Sequence, residues 1–168
     1  MSELMSLPPE LREKLMKAVV GESVLIAKDV IKDLYEAFER FMMFAGPVLY
    51  NAAKKAGRLM ARRLREKGLV EPGNALAVLL FTMRESGYIG DARVLGEEES
   101  RGRKVIRLGV RGTLLGSKLS GRKKPVDQPI AGFIAGWLEE LWGARVDVKE
   151  KACIAKGDPE CVFEIIVH

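Results

Sequence analysis

The chain has 168 residues, of which 48% are apolar and 30% charged, and its formal net charge is +5. That length suits one domain with a real hydrophobic core. No apolar run approaches the eighteen or so residues that a membrane span requires, which excludes a spanning helix. The opening MSELMSLPPELREK lacks the basic start, apolar middle and small-residue cleavage site of a signal peptide, so a cytoplasmic protein is expected. Asn51, Asn74 and Gln128 are the only side-chain amides and His168 is the only histidine, a bias that high working temperature favours and that points to a thermophile.

In chain order, Pro8 and Pro9 open a short helix that carries Leu11, Leu15 and Met16 to about Val20. From Lys28 to Phe44 the apolar residues Val30, Ile31, Leu34, Tyr35, Phe38, Phe41 and Met42 recur every three or four positions, with acids and lysines between them. This is an amphipathic helix. Gly46 and Pro47 break it and start another that runs to about Lys67, where Gly68 stops it. Within that helix Ala53, Gly57 and Ala61 form a small-residue stripe suited to close packing against a neighbour. A fourth helix follows Pro72, Gly73 and Asn74 and carries Leu76, Leu79, Leu80 and Met83 as far as Gly87.

The period then changes to two. Tyr88 to Leu95 and Lys104 to Val110 alternate on either side of the charged turn EEESRGR, the pattern of an antiparallel hairpin. Helical spacing returns from Pro129 to Trp142, where Gly132 and Gly136 cost stability unless something packs tightly against them. Arg145 to Glu150 and Val162 to Val167 alternate again. The order predicts an α+β fold, a four-stranded antiparallel sheet covered by helices.

Two basic clusters stand out: Lys54, Arg58, Arg62 and Arg65 along one helix face, and Arg122, Lys123 and Lys124 in a Gly-flanked loop. No aromatic residues interleave with them to stack bases, so a solvated helix face is preferred over nucleic-acid binding, which is not expected.

Both cysteines lie in EKACIAKGDPEC, residues 150–161. Glu150 ends one strand, Cys161 begins the next and Cys153 lies in their connection, so a hairpin brings the three together. Thiolates and a carboxylate are competent zinc ligands, although structural zinc normally takes four and the usual CxxC pairs are absent. A reduced thiol pair and a disulfide across the loop are the alternatives.

The run PVDQPIAGFIAGWLEELWGARVDVKEKACIAKGDPECVFEI resembles the 4-vinyl reductase domain family, in which a Gly-xxx-Gly helix and a strand precede an E-x2-C-x7-C signature. GPVLYNAAKKAGRLMARRL is similar to that family's small-residue helix, and the likeness extends from about residue 22. The resemblance divides the chain into an N-terminal helical extension, 1–21, and a ligand-binding domain, 22–168. It implies a fold similar to that of a vesicle-tethering (TRAPP-like) complex subunit, with helices on an antiparallel sheet around an apolar pocket.

It also implies a zinc site. In aromatic-sensing members the motif's glutamate and cysteines bind zinc with a further cysteine before the Gly-xxx-Gly helix. Here these positions are Glu150, Cys153 and Cys161, and the fourth falls on Asp127. Aspartate can ligate zinc, but it is also a favoured helix N-cap, and both roles stay open at this stage. With no histidine before the last residue, a structural ion is preferred over a catalytic one.

For the implied pocket, alternation nominates Ile106, Leu108, Val146 and Val148 on the covered sheet face, with Val78, Phe81 and Met83 from one helix and Phe38, Phe41 and Met42 from another. The same residues would serve as ordinary core. The expected function is non-enzymatic binding of a hydrocarbon-, lipid- or tetrapyrrole-like molecule by a homodimer, as similar proteins are dimeric. The first alternative is a reductase or accessory factor of tetrapyrrole vinyl-group reduction, although no G-x-G-x-x-G turn follows a strand. The second is a nucleic-acid-binding or scaffold protein that uses the basic helix face.

Overall fold

A computed structural model describes residues 7–100 and 102–168 of the chain. The part of the expected N-terminal extension before residue 7, and Arg101 in the expected hairpin turn, lie outside the described residues. Five helices, α1 (Pro9–Gly21), α2 (Lys28–Phe41), α3 (Ala45–Glu66), α4 (Ala75–Glu85) and α5 (Gln128–Trp142), accompany four strands, β1 (Asp91–Ser100), β2 (Arg103–Arg111), β3 (Val146–Ala152) and β4 (Cys161–Val167). The strands form one antiparallel sheet in the order β1-β2-β4-β3. The fold is α+β, as the change of period predicted. No helix among the described residues is long and apolar enough to cross a membrane.

The sheet is buried on one face, where Ile106, Leu108, Val110, Phe163, Ile165, Val146 and Val148 meet the helices. The alternate positions Arg107, Lys149 and Lys151 face outward, the division that a half-covered antiparallel sheet produces. Helix α5 is the centre of the core: Ile134, Trp137 and Leu138 are essentially inaccessible, and the Trp137 indole N–H donates to the Ala75 carbonyl of α4 at 3.0 Å. Full burial of one such side chain contributes roughly 1.5–3 kcal/mol.

The small-residue stripes explain how α3 meets α5. A Cβ on Gly57 would stand 2.2 Å from the Phe133 carbonyl oxygen, one on Gly132 would stand 2.1 Å from that of Tyr50, and one on Gly136 would stand 1.8 Å from that of Lys54. The two backbones touch, and only hydrogen fits between them. This contact lays the polar side chains of α3 along the open edge of β3. Lys54 Nζ donates to the Val146 carbonyl at 3.2 Å, and the Val148 N–H donates to Tyr50 Oη at 3.3 Å, so the edge is capped by side chains.

The basic stripe of α3 belongs to the same seam. Lys54 and Arg58 pair with Glu139, and Arg62 and Arg65 pair with Glu140, with Arg62 bidentate at 3.2 and 3.0 Å. These four cations are engaged with α5 instead of forming a bare face.

The first hairpin differs from its expected limits. Residues 88–90 lead in as a bend, with the Gly90 N–H donating to the Arg111 carbonyl at 2.9 Å, and β1 continues to Ser100. The acidic run read as a turn is strand because opposite charges face it across the ladder. Lys104 pairs with Glu97, and Arg107 pairs with Glu98, both at 2.8 Å.

Gly136→Ala forces a methyl into the Lys54 carbonyl, which no rotamer change relieves. A loss of about 3 kcal/mol or more in chemical unfolding is expected, at or above the upper end of ordinary overpacking. Gly46→Ala, at the start of α3, has its nearest atom at 3.5 Å and is expected to be neutral or mildly stabilising. Equal effects of the two would contradict this account of the α3–α5 contact.

Candidate metal centre

Three segments converge at the end of the sheet. Asp127 precedes α5, Glu150 lies near the end of β3, Cys153 follows that strand and Cys161 begins β4. One ligand atom from each of the four lies within 4.8 Å of every other. Asp127, Cys153 and Cys161 are fully buried and Glu150 is 8% exposed.

A regular strand would point Glu150 and Cys153 to opposite faces, because they are an odd number of residues apart. The ladder with β4 shifts register between Glu150 and Ala152, and this irregularity turns Cys153 inward to join Glu150. The connection then tightens into a single 3-10 turn, Ile154–Lys156, closed by Gly157 at φ +100°. Asp158 Oδ2 accepts the Cys153 N–H at 2.8 Å. This is the Lys-Gly-Asp-Pro turn, and it holds the first cysteine in place.

Asp127 settles between its two sequence readings by where its side chain points. It occupies the N-cap position of α5 but makes no capping hydrogen bond. Its Oδ1 accepts the Gly116 N–H at 3.3 Å, and its Oδ2 accepts from Cys161 Sγ at 3.4 Å. The Asp127 N–H donates to Glu150 Oε2 at 2.9 Å, which leaves Glu150 Oε1 buried without a partner. Thr113 Oγ1 and the Ile154 N–H each lie 3.4 Å from Cys161 Sγ. Both cysteines are free thiols.

The electrostatics are those of anionic groups crowded out of water. Burial pushes the Asp127 carboxyl up to about 6. Burial and the neighbouring Asp127 push Glu150 up to about 9. The thiols share a proton: the hydrogen bond to Cys153 and burial push Cys161 up, and the same bond draws Cys153 down to about 5. Two sulphurs and two carboxylates with an orphaned oxygen are a donor set that a dication satisfies and that is costly without one.

The residues nominated for an apolar pocket are not brought around one open cavity. Val78, Phe81, Met83, Ile106, Leu108, Val146 and Val148 are sealed in the core, Phe38 is half-buried, and Phe41 is 88% exposed with Met42 beside it at 36%. The reason lies in α2, which packs on α3 and on the loop after β2. Two surface recesses, lined by Glu36, Glu39, Arg40 and Arg122 and by Arg58, Glu139, Glu140, Gly143, Ala144 and Arg145, are mainly charged. Sequence reasoning missed Thr113 and Gly116 at the metal centre, since neither belongs to a recognisable spacing.

Residues 110–167 match the family model of the vinyl-4-reductase (4VR) domain. A 44-residue stretch is 39% identical to uncharacterized protein MJ1460 of Methanocaldococcus jannaschii, covering 26% of this chain and 27% of that one. The match thus spans little more than a quarter of the curated relative. Among solved structures, the phenol-responsive sensory domain of the transcription activator PoxR, with phenol, superposes with a TM-score of 0.74 at 13% identity, over 96% of this chain and 92% of that one. Trafficking protein particle complex subunit 3 from Naegleria fowleri, covalently bound to palmitic acid, gives 0.63 at 16% identity, over 84% and 95%. A vinyl-4-reductase family protein from Methanocaldococcus jannaschii gives 0.59 at 20% identity, over 95% and 94%. At these identities the likenesses establish the fold, and the expected TRAPP-like architecture and 4-vinyl reductase resemblance hold.

Glu150 titrates higher in the folded metal-free chain than its ordinary 4.5. Its contribution to stability is therefore complete below about pH 4 and is lost as the pH rises toward its folded value. Cys153, held low, works in the opposite direction, so the carboxyl part is read as a difference between variants. In chelator-treated protein, Glu150→Gln should be near-neutral at roughly pH 4 and increasingly stabilising in urea unfolding up to roughly pH 9. A constant or shrinking difference would rule out a protonated, buried Glu150.

Proposed function

Residues 110–167 carry the vinyl-4-reductase domain, and from that premise we propose that the protein is a non-enzymatic binding module for an apolar small molecule. In this reading a structural zinc, held by Asp127, Glu150, Cys153 and Cys161, closes its C-terminal hairpin. The observation that carries the metal half is the convergence of four buried ligand atoms within 4.8 Å, with one carboxylate oxygen left unpartnered. Zinc would supply the positive charge that this donor set lacks, and it would tie the start of α5 to β3 and β4. Four protein ligands, all buried, leave no open coordination position for a substrate, which favours a structural role. A reducing cytoplasm would keep both thiols available for it.

Support for the ligand half comes from the fold, shared with a domain solved with phenol and a subunit solved with covalently bound palmitic acid. The proposed site lies between the helices and the inner sheet face, bounded by Val78, Phe81, Ile106, Leu108, Val146 and Val148. Phe38, Phe41 and Met42 of α2 are the side chains that a ligand would draw inward. The ligand class is hydrocarbon, lipid or tetrapyrrole.

The same helix supports the homodimer. The apolar arc of α2 is wider than this chain covers: Ile31, Tyr35 and Phe38 turn inward, while Val30, Leu34 and Phe41 form a second stripe exposed by 55, 54 and 88%. Leu25, Met43 and Phe44 extend it at both ends, beyond the scattered apolar residues of an ordinary monomer surface. A second copy of the same stripe is the partner of matching chemistry.

Native mass spectrometry of protein purified without added metal tests the first reading. The expected result is an excess of one zinc per chain, with an organic adduct where ligand is retained. A bare chain whose two thiols titrate freely would sink the metal centre. Analytical ultracentrifugation tests the dimer: Leu34→Glu should shift the wild-type dimer to a monomer with its helical content intact. A monomeric wild type would refute the α2 interface.

A further inference from the structure

The turn that follows β2, Gly-Thr-Leu-Leu-Gly at residues 112–116, has no part in the zinc signature, yet it forms one wall of the cluster. It is firmly anchored. The Leu114 N–H donates to the Tyr88 carbonyl at 2.9 Å, the Ser117 N–H donates to the Thr113 carbonyl at 3.0 Å, and Leu115 is buried in the core.

Thr113 is completely buried, a costly place for a hydroxyl without a defined partner. Its Oγ1 lies 3.4 Å from Cys161 Sγ and also hydrogen-bonds the Asp127 carboxylate. Gly116 contributes through its backbone and through its lack of a side chain. Its N–H reaches Asp127 Oδ1 at 3.3 Å. A Cβ there would stand 2.4 Å from Thr113 Oγ1, 2.7 Å from Asp127 Oδ2 and 3.2 Å from Cys161 Sγ. Its φ lies outside the left-handed region, so space and not backbone conformation demands glycine at this point.

Resting on the reading of the cluster as a metal centre, we propose that Thr113 and Gly116 are its positioning shell, holding Asp127 as an oxygen ligand beside Cys161 instead of letting it cap α5. The chemistry is balanced for this task. Two thiolates and two carboxylates carry twice the charge that a dication neutralises, and N–H and O–H donors aimed at them offset the remainder. The hydroxyl of Thr113 and the N–H of Gly116 supply two such donors at Asp127. The N–H groups of Ile154 and Asp127 serve Cys161 and Glu150.

The test is zinc affinity of the full chain, measured by competition with a chromophoric chelator, together with the absorption spectrum of the cobalt(II)-loaded protein. Thr113→Val removes only the hydroxyl and is expected to weaken zinc binding by about 10- to 100-fold and to displace the cobalt d–d bands. Thr113→Ser keeps the hydroxyl and should bind within about threefold of wild type with an unchanged spectrum. Gly116→Ala should lose at least as much affinity as the valine variant. Thermal unfolding of each metal-free protein separates ligand positioning from a general loss of structure.

A valine variant that binds zinc like wild type, with the same cobalt spectrum, overturns the shell while the metal centre stands. A serine variant that shares the valine variant's loss assigns Thr113 to packing and also overturns it. A wild type that takes up no metal removes the metal centre itself, and the shell with it.

Discussion

The contact between α3 and α5 is closer than side chains permit, and the rest of the fold is laid out from it. Gly57, Gly132 and Gly136 let two backbones meet carbonyl to α-carbon, a spacing that admits no methyl group. Once α5 is held at that depth, its length carries three consequences. Its first turn starts at the metal cluster, its middle buries Trp137 and Leu138 against α4 and the sheet, and its last turn presents Glu139 and Glu140 to the cations of α3. Glycine within a helix costs about 1 kcal/mol each relative to alanine, so three at one seam are retained only because the seam returns more than that in packing. The ion pairs along its rim are individually worth little at ordinary temperature. A network of this kind gains as the cost of dehydrating charges falls on heating, in line with the amide-poor, charge-rich composition.

The metal cluster sits where this scaffold meets the last hairpin. Asp127 comes from the start of α5, Glu150 and Cys153 from β3 and the turn after it, and Cys161 from β4. No hydrophobic contact explains why two carboxylates should be buried side by side, since each raises the cost of ionising the other. Packing alone would fill such a place with apolar residues. Here the chain instead surrounds the four groups with N–H donors and leaves one carboxylate oxygen unmet. That pattern is difficult to derive from the demands of a folded core and follows directly from those of a cation.

Much of this was legible in the sequence because it is written in periods and spacings. The change from a repeat of three or four to a repeat of two located every helix and strand, and the glycine stripes announced a backbone contact before any partner was known. The convergence of Glu150, Cys153 and Cys161 was readable from the hairpin around them, and Asp127 from the resemblance. What was not legible depends on partners distant in the chain. The charged run 97–99 looks like a turn until Lys104 and Arg107 are placed across from it. The register shift after Glu150, without which Cys153 would face the wrong side, has no sequence signature. Thr113 and Gly116 belong to no spacing, and only their distances reveal them. For α2, periodicity defines an apolar arc, but it cannot divide that arc between the side this chain covers and the side it leaves exposed, so Phe41 and Met42 were assigned inward.

The loop between β2 and α5 connects the two halves of the molecule's chemistry. Its beginning carries Thr113 and Gly116, and its end carries Asp127. Between them, the Arg122 N–H donates to the Ala155 carbonyl in the turn that separates the two cysteines, at 2.9 Å. The guanidinium of the same residue spans Glu36 and Glu39 of α2, at 3.0 and 2.7 Å, and Lys118 reaches Asp29 at 2.8 Å. Helix α2, which bears the exposed apolar stripe, is therefore held by polar bonds to a loop that is itself fastened at several points to the metal cluster. Apolar packing would have fixed α2 through the core and kept its position independent of the cluster. Fastening it through Arg122 and Lys118 makes the placement of its apolar face depend on the geometry of a loop whose ends the four ligands define.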